Sequence, residues 1–150
     1  MWPSIFGAAN IIALIGWIFL ILLPHKPLPL TAVLYLGVGL LCLVYTAGLV
    51  ALLSGIADAG PGGLQADFSS IDGVRAIFAS DGGVTVGWTH YLAFDLFVGL
   101  WIVRDADAKG FSRLVQAPIL LVTLLAGPAG LLIWLVIRER RARLHGRMKG

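Results

Sequence analysis

The stretch GWTHYLAFDLFVGLW, residues 87–101, is apolar enough to cross a membrane, yet it contains His90 and Asp95. Asp95 lies near the middle of the stretch, where a carboxylate costs about 2.5 kcal/mol or more on membrane-insertion scales. Ionisable residues at such positions almost always face the inside of a helix bundle, where they are paired, protonated or hydrated, and they commonly mark function. His90 and Asp95 are therefore the first candidates for a functional site.

The whole chain has the composition of an integral membrane protein. Of its 150 residues, 59% are hydrophobic and 13% are charged, and the mean hydropathy is +0.92. The apolar residues form four runs, at about 4–23, 31–53, 85–103 and 114–137, each close to the ~20 residues that a helix needs to cross the hydrocarbon core. No basic stretch precedes the first run, so we expect a retained span rather than a cleaved signal peptide. The sequence thus predicts an all-α, single-domain bundle of four membrane-spanning helices.

The connections between the runs differ in length. The prolines of LPHKPLP (23–29) end the first run, and the polar segment RDADAKGFSR (104–113) joins the third run to the fourth in water. Within the longer connection 54–83, apolar residues repeat on one helical face after a Ser69/Ser70 cap: Ile71, Val74, Ile77 and Phe78. We expect a short amphipathic helix over 70–80 at the membrane surface, where it lids the bundle or gates a substrate.

The distribution of lysine and arginine indicates an orientation. The basic tail 138–150 contains RERRARLHGRMK and should remain in the cytoplasm under the positive-inside rule. Four spans then place both termini in the cytoplasm, with the protein in the inner membrane. The same arrangement leaves four cations outside: Lys26, Arg104, Lys109 and Arg113. Because the tail directly follows a span, anionic headgroups are its nearest polyanion, and we expect membrane lipid rather than nucleic acid as its partner.

A helical wheel divides residues 85–103 into two sides. The aliphatic side, which we expect to face lipid, holds Leu92, Ala93, Leu96, Leu100 and Val103. The aromatic and polar side, which we expect to face the bundle, holds Gly87, His90, Tyr91, Phe94, Asp95, Val98, Trp101 and Ile102. His90 and Asp95 lie roughly 7.5 Å apart along the axis and point in different directions, so an i,i+4 contact between them is excluded. We expect them to bracket one cavity or to bond other helices.

One face of each of the other three runs could line the same interior. These faces hold Phe6, Asn10, Leu14 and Trp17 in the first run, Tyr35, Gly39, Cys42 and Thr46, with Tyr45 at the edge, in the second, and Gln116, Thr123, Gly127, Gly130 and Trp134 in the fourth. Small residues let membrane helices approach closely, so packing alone explains many of these positions. Pro128 after Gly127 should loosen or kink the fourth span and free carbonyl groups near the core.

Several kinds of chemistry are disfavoured. The three histidines, His25, His90 and His145, are too few and too dispersed for a di-iron site, and the single cysteine, Cys42, cannot form a thiolate metal site by itself. The phosphate-binding, dinucleotide-binding and nucleophile-elbow motifs are not present in the sequence. We therefore expect no metal and no cofactor. Cofactor-free acid–base chemistry, lipophile binding and transport remain, and transport ranks last because four spans enclose little room for alternating access.

Three stretches of the sequence match a known family. GWTHYLAFDLFVGLWIVRDA (87–106), PILLVTLLAGPAGLL (118–132) and FSSIDGVRAIF (68–78) resemble the abscisic-acid-deficient-four-like family, and the resemblance covers nearly the whole chain. The family consists of small membrane proteins whose plant members are implicated in making neoxanthin from violaxanthin. Its most specific elements are Trp88, His90, Asp95, Asp105 and the Gly127–Pro128 step. We expect a short bacterial-type member, because the chain starts at its first span with no plastid transit peptide.

The resemblance implies an isomerisation that needs neither an oxidant nor a cofactor. An epoxide end group becomes an allenic alcohol when an acid protonates the epoxide oxygen and a base removes a proton from the adjacent polyene carbon. The resemblance implies Asp95 as the acid and His90 as the base, or the reverse, with Tyr91 orienting Asp95. A carotenoid or other isoprenoid ligand would lie in a cavity lined by Trp88, Tyr91, Phe94, Trp101, Asn10 and Thr46. The alternative is a non-catalytic carotenoid- or lipid-binding module, or an assembly factor for a biosynthetic complex, and a homo-oligomer is compatible with either.

Overall fold

The structure, a computed structural model, describes residues 1–57 and 67–147, with only the backbone described for 140–147. The described residues form helices and turns, and no strand occurs among them, so the expectation of an all-α chain is confirmed for this part. Within these described ranges six helices follow one another: α1 Trp2–Leu22, α2 Pro27–Leu53, α3 Ile71–Ile77, α4 Asp81–Ala108, α5 Arg113–Leu125 and α6 Gly127–Arg147. The last three residues of the predicted basic tail lie outside the described residues.

Three helices, α1, α2 and α4, are long and apolar enough to cross a membrane, with 21, 27 and 28 residues. They cover the first three predicted runs, and α2 and α4 extend beyond them into polar or proline-containing sequence. Helix α2 begins at Pro27 because a proline in the first turn needs no backbone N–H partner. Helix α4 begins after Ser80, whose hydroxyl accepts a hydrogen bond from the Gly83 amide at 3.1 Å. Hydropathy locates the part of a helix that suits lipid, whereas capping decides where the helix starts.

The prediction of one continuous fourth span over 114–137 is wrong. Helix α5 ends at Leu125, Ala126 has non-helical backbone angles (φ −154°, ψ 76°), and α6 starts at Gly127. In a continuous helix Thr123 and Gly130 would be about 10.5 Å apart along the axis. Here a Cβ on Gly130 would lie 2.6 Å from the Thr123 Cα and backbone N. Helix α6 therefore folds back along α5, and we call residues 113–147 the α5–α6 hairpin.

A second contact confirms the reversal at the other end of the hairpin. The rings of Phe111 and Trp134, 23 positions apart in sequence, pack edge to face with their centroids 4.9 Å apart. Pro128 explains why the chain cannot continue as one helix, because its ring would clash with the Leu124 carbonyl and it has no N–H to donate to it. The sequence indicated a kink at this point, and the structure has a complete reversal.

Helix α4 is the centre of the bundle. Half of its most apolar segment is buried, compared with 28% for α1 and 17% for α2, and it packs against α1, α2, α5 and α6. The side of α4 that was expected to face lipid is mostly core, since four of its five residues are fully or almost fully buried: Ala93, Leu96, Leu100 and Val103. The predicted lipid face of this helix is therefore wrong.

Close approach between helices explains why the face of α4 that was expected to contact lipid is buried instead. The Leu96 side chain lies against Gly16 of α1 and Gly37 of α2, where an added Cβ would meet it at 2.7 and 3.0 Å. In the same way, Gly99 of α4 faces the Trp17 ring of α1. Lipid tails are as apolar as leucine, so contacts with small residues, rather than hydrophobicity, decide which side of a membrane helix is inside.

The face of α2 that was expected to line the interior points outward. Tyr35, Gly39, Cys42 and Thr46 are exposed, whereas the buried residues are Val33, Gly37, Val38 and Leu41. Thr46 needs no partner on another helix, because its hydroxyl donates to the Cys42 carbonyl one turn earlier at 2.8 Å. Residues Val33–Gly39 of α2 form a π-helical segment, a wider turn than that of the α-helix on either side.

A short helix, α3, occupies the predicted stretch 70–80. Its N-cap is Ser70, whose hydroxyl accepts from the Gly73 amide at 2.9 Å. Beyond its end, the Phe78 ring fills the space that a Cβ on Gly87 of α4 would need, so α3 is tied to the start of α4. The position of α3 at the membrane surface stays a prediction.

Candidate functional site

Asp95 lies inside the bundle, at the point where the α5–α6 hairpin reverses. It is only 7% exposed, and the Tyr91 hydroxyl and the Gly127 amide face its carboxyl group. A Cβ on Gly127 would collide with that carboxyl group, so only glycine allows α6 to start here. The Asp95 Oδ2 atom is buried and has no hydrogen-bond partner within the described part of the chain. A buried polar group without a partner is costly, and a functional role is one explanation for its presence.

The start of α6 adds an electrostatic feature to this site. The N-terminus of a helix carries unpaired N–H groups and a partial positive charge. Because the hairpin reverses at Ala126, this helix end lies beside the Asp95 carboxyl group instead of at the end of the bundle. The break in the predicted fourth span therefore places a carboxyl group and a helix N-terminus together in an apolar environment.

An aromatic groove lies on the neighbouring face of α4. It has a volume of about 330 Å³, within the range of small-molecule pockets, and is lined by Phe6, Phe78, Val84, Gly87, Trp88 and Tyr91. The Phe6, Trp88 and Tyr91 rings stack in succession, with centroids 6.1 and 5.2 Å apart, and we call them the aromatic ladder. A flat, apolar ligand suits such a surface.

Tyr91 connects the aromatic groove to Asp95. Its ring lines the groove, while its hydroxyl lies 3.4 Å from the Leu125 carbonyl at the tip of the hairpin and faces the Asp95 carboxyl group. Asp95 follows Tyr91 by one helical turn, which places both on one side of α4. The Tyr91 side chain therefore borders both the groove and the surroundings of Asp95.

Asn10 holds the middle of the aromatic ladder in place. The Trp88 Nε1–H donates to the Asn10 Oδ1 at 3.1 Å, and the Asn10 amide donates to the Phe6 carbonyl at 2.7 Å. Of the predicted binding residues, Trp88 and Tyr91 thus line the groove, and Asn10 is bonded to Trp88.

His90 does not share a cavity with Asp95, which corrects the expectation of a common interior site. His90 is exposed, and its ring stacks on Phe94 at 4.6 Å and lies 5.3 Å from the Tyr45 ring. Five residues along a helix correspond to a rotation of about 140°, so the two side chains leave α4 in different directions. Phe94 and Thr46, which were expected in the cavity, are exposed on the His90 side or on α2.

Residues 4–134 match the family model described as ABA DEFICIENT 4-like. The chain belongs to the ABA4-like family. No curated protein and no solved structure shows significant similarity to the chain. The matched residues include Asp95, Tyr91, the aromatic groove and the tip of the hairpin, so the whole candidate site of this ABA4-like protein lies within the family region.

Asp105, which the family resemblance singled out, belongs to a separate polar cluster at the end of α4. Its Oδ2 accepts from the Trp134 indole N–H and from the Arg138 Nε, both at 3.0 Å, and its Oδ1 pairs with Lys109. The Arg138 guanidinium also lies over the Trp101 ring at 5.5 Å. These contacts fasten the end of the hairpin to α4, so Asp105 and Trp101 have structural partners far along α4 from the groove.

A second group of polar residues near the end of α4 was not predicted from the sequence of this ABA4-like protein. Asp107 accepts from Gln116 at 2.8 Å and lies 2.9 Å from the His25 Nδ1, while Arg113 donates to the Ile21 and Leu23 carbonyls. The only sign of this group in the sequence was that polar residues lie on either side of the predicted span ends. Among the described residues, no group of three His, Cys, Asp or Glu side chains comes together, and the expectations of no metal and no cofactor stay predictions.

Proposed function

We propose that this ABA4-like protein is a membrane acid–base isomerase that acts on the end group of an elongated isoprenoid of the carotenoid class. The observation that supports it is the buried, unpartnered Oδ2 of Asp95, one turn from a tyrosine whose ring lines an apolar aromatic groove. The family name, with its reference to abscisic acid, agrees with a carotenoid-related role.

The proposed reaction is balanced without an oxidant. One C–O bond of an epoxide opens, its oxygen gains a proton, and the neighbouring polyene carbon loses one, so the product is an isomer of the substrate. The aromatic ladder would hold the flat polyene. Of Asp95 and Tyr91, one would give a proton to the epoxide oxygen and the other would take the proton from the polyene carbon.

In this proposal Tyr91 takes the part that the family resemblance implied for His90. The Tyr91 hydroxyl faces Asp95 and its ring borders the groove, whereas His90 is exposed and stacked on Phe94. Asp95 and Tyr91 would therefore be the catalytic residues, and His90 a packing residue on another face of α4.

Substitution of Asp95 and Tyr91 tests the proposal. We expect Asp95→Asn and Tyr91→Phe to keep the shape of the site and the bound pigment, but to lower turnover by about 10²–10⁴-fold, the usual effect of losing a general acid or base. His90→Gln, the matched control on the same helix, should change turnover little. The measurement is conversion of an epoxy-carotenoid by the purified protein in detergent, followed by chromatography. Near-normal turnover in both folded variants would contradict the catalytic role.

A non-catalytic binding module is the second candidate, and the almost wholly apolar lining of the groove favours it. A module would copurify with a pigment or lipid, identified by absorption and mass, and would leave that pigment unchanged. Trp88→Ala should then reduce the amount bound, while Asp95→Asn should leave it unaltered. Conversion of the pigment by the unaltered protein would exclude this candidate.

A further inference from the structure

The positive charges of the chain are concentrated at one end of the bundle. Three contacts define this basic end: Arg113 reaches the carbonyls at the end of α1, His25 meets Asp107, and Arg138 pairs with Asp105. Every lysine and arginine except Arg75 lies here or follows it in the sequence: Lys26, Arg104, Lys109, Arg113, Arg138, Arg140, Arg141, Arg143, Arg147 and Lys149. The opposite end holds the start of α1, the end of α2 and the start of α4, where Gly82 lies against Trp2 and Leu52.

The α5–α6 hairpin is too shallow to reach the opposite end. Helix α5 has 13 residues, which corresponds to about 20 Å. The apolar part of α6, residues 127–137, corresponds to about 16 Å. Both are shorter than the ~30 Å hydrocarbon core. The tip lies beside Tyr91 and Asp95, near the middle of α4, so the hairpin enters and leaves at the basic end.

The backbone at the tip meets the requirement for a turn at membrane depth. Irregular backbone is tolerated there only where protein or water satisfies its polar groups. The Ala126 amide donates to the Val122 carbonyl at 2.8 Å, and the Ala126 carbonyl accepts from the Ala129 and Gly130 amides. The turn therefore needs no water to satisfy the hydrogen-bonding groups of Ala126.

We propose that the protein has three spans and a re-entrant hairpin, with the basic end in the cytoplasm and the opposite end outside. The positive-inside rule and the anionic headgroups of the cytoplasmic leaflet both favour this orientation. The two ends of the chain then lie on opposite sides, in contrast to the arrangement with both termini in the cytoplasm. The aromatic groove, near the start of α4, opens in the outer half of the bilayer, and a ligand would enter it from the outer leaflet. Only this last point, the entry of a ligand, rests on the proposed function.

Labelling of single cysteines with a membrane-impermeant maleimide tests the arrangement. The background is Cys42→Ala, and the three positions are Asp72→Cys in α3, Lys26→Cys at the basic end, and Gly150→Cys, which lies outside the described residues. In sealed cells we expect Asp72→Cys to react at once, and the other two to react only after permeabilisation.

Each other outcome overturns a defined part of the proposal. Immediate reaction of Lys26→Cys, with protection of Asp72→Cys, would reverse the orientation. Reaction of Gly150→Cys together with Asp72→Cys, while Lys26→Cys stays protected, would show a fourth span and rule out the re-entrant hairpin. The labelling needs neither ligand nor turnover, so its result is independent of the Asp95 and Tyr91 substitutions.

Discussion

The candidate site depends on Gly127, because glycine has no side chain to keep α6 away from Asp95. The helix that begins there approaches Asp95 so closely that even a methyl group would occupy the place of the carboxyl group. Neither Asp95 nor its surroundings can easily move away, because Asp95 is buried on the central helix. The observed position of the Asp95 carboxyl group therefore requires a glycine at position 127.

We expect Gly127→Ala to lower turnover about as strongly as Asp95→Asn, because the added methyl group would displace the carboxyl group from Tyr91. Helix content, measured by circular dichroism, should stay close to that of the unaltered protein. Gly7→Ala is the matched control, since nothing lies within 4 Å of a Cβ at that position of α1. Equal turnover in the two alanine variants would show that the approach of α6 to Asp95 has no role in the reaction.

At the scale of single elements, one carboxylate stabilises the turn that precedes α3. Asp67 accepts from the Ser69 hydroxyl at 2.8 Å and from the Ser69 and Ser70 amides at 2.7 and 3.1 Å. The Ser69 hydrogen bonds, followed by those of Ser70, lower the pKa of Asp67 from its ordinary value of 3.8. The charged form is the one that is bonded, so its contribution to this turn is present at neutral pH and is lost as the pH falls through the lowered pKa.

We expect the Asp67 carboxyl carbon, observed by NMR during an acid titration, to show a midpoint below 3.8. Removal of the largest contribution by Ser69→Ala should move the midpoint back toward that value. A midpoint at or above 3.8 in the unaltered protein would mean that these hydrogen bonds are absent in solution. Protection of the Ser69 amide from hydrogen exchange should fall over the same pH range.

The elements that the sequence predicted well are those set by local signals. Apolar runs located the three long helices, and the Ser70 cap with its apolar stripe located α3. The hairpin could not be predicted in this way, because the run 114–137 is long enough for one span and also for two half-length helices. Hydropathy reports the solvent that a segment prefers, not the direction in which the chain runs.

The candidate site was predicted only in part, for a related reason. Asp95 stood out because a carboxyl group in an apolar run has few explanations, and the contact between Trp88 and Asn10 joins two predicted residues. The exposure of His90 and the contact of Gly127 with Asp95 depend on where neighbouring helices approach α4. Those approaches are determined by pairs such as Gly16 with Leu96, which no single-helix pattern contains.

At the scale of the whole molecule, an experiment can distinguish the effect of the tail's positive charge on orientation from the effect of the number of spans. The four tail arginines Arg140, Arg141, Arg143 and Arg147 can be replaced by glutamine together. In a four-span protein, the cations that remain would be more numerous on the side of Lys26 and Arg113, and the orientation should invert. With a re-entrant hairpin, those cations lie on the same side as the tail, and we expect the orientation to be kept.

The measurement is the accessibility of Asp72→Cys in this tail-neutral variant. We expect it to stay reactive in sealed cells, as in the parent with the tail intact. A variant in which Asp72→Cys becomes protected, or in which half of the molecules are protected, would indicate that the tail alone determines the orientation.

The α5–α6 hairpin also has a consequence for synthesis of the protein on the ribosome. In the proposed re-entrant arrangement α5 begins and α6 ends at the same end of the bundle, so the residues from α5 to the end of α6 emerge on the side where α4 ended. Carrying an arginine through the centre of a bilayer costs about 2.5–3.5 kcal/mol per residue on insertion scales, and the tail contains several. In the proposed arrangement no charged segment after α4 has to be translocated, so the hairpin would fold into the membrane from one side once the three long helices are in place.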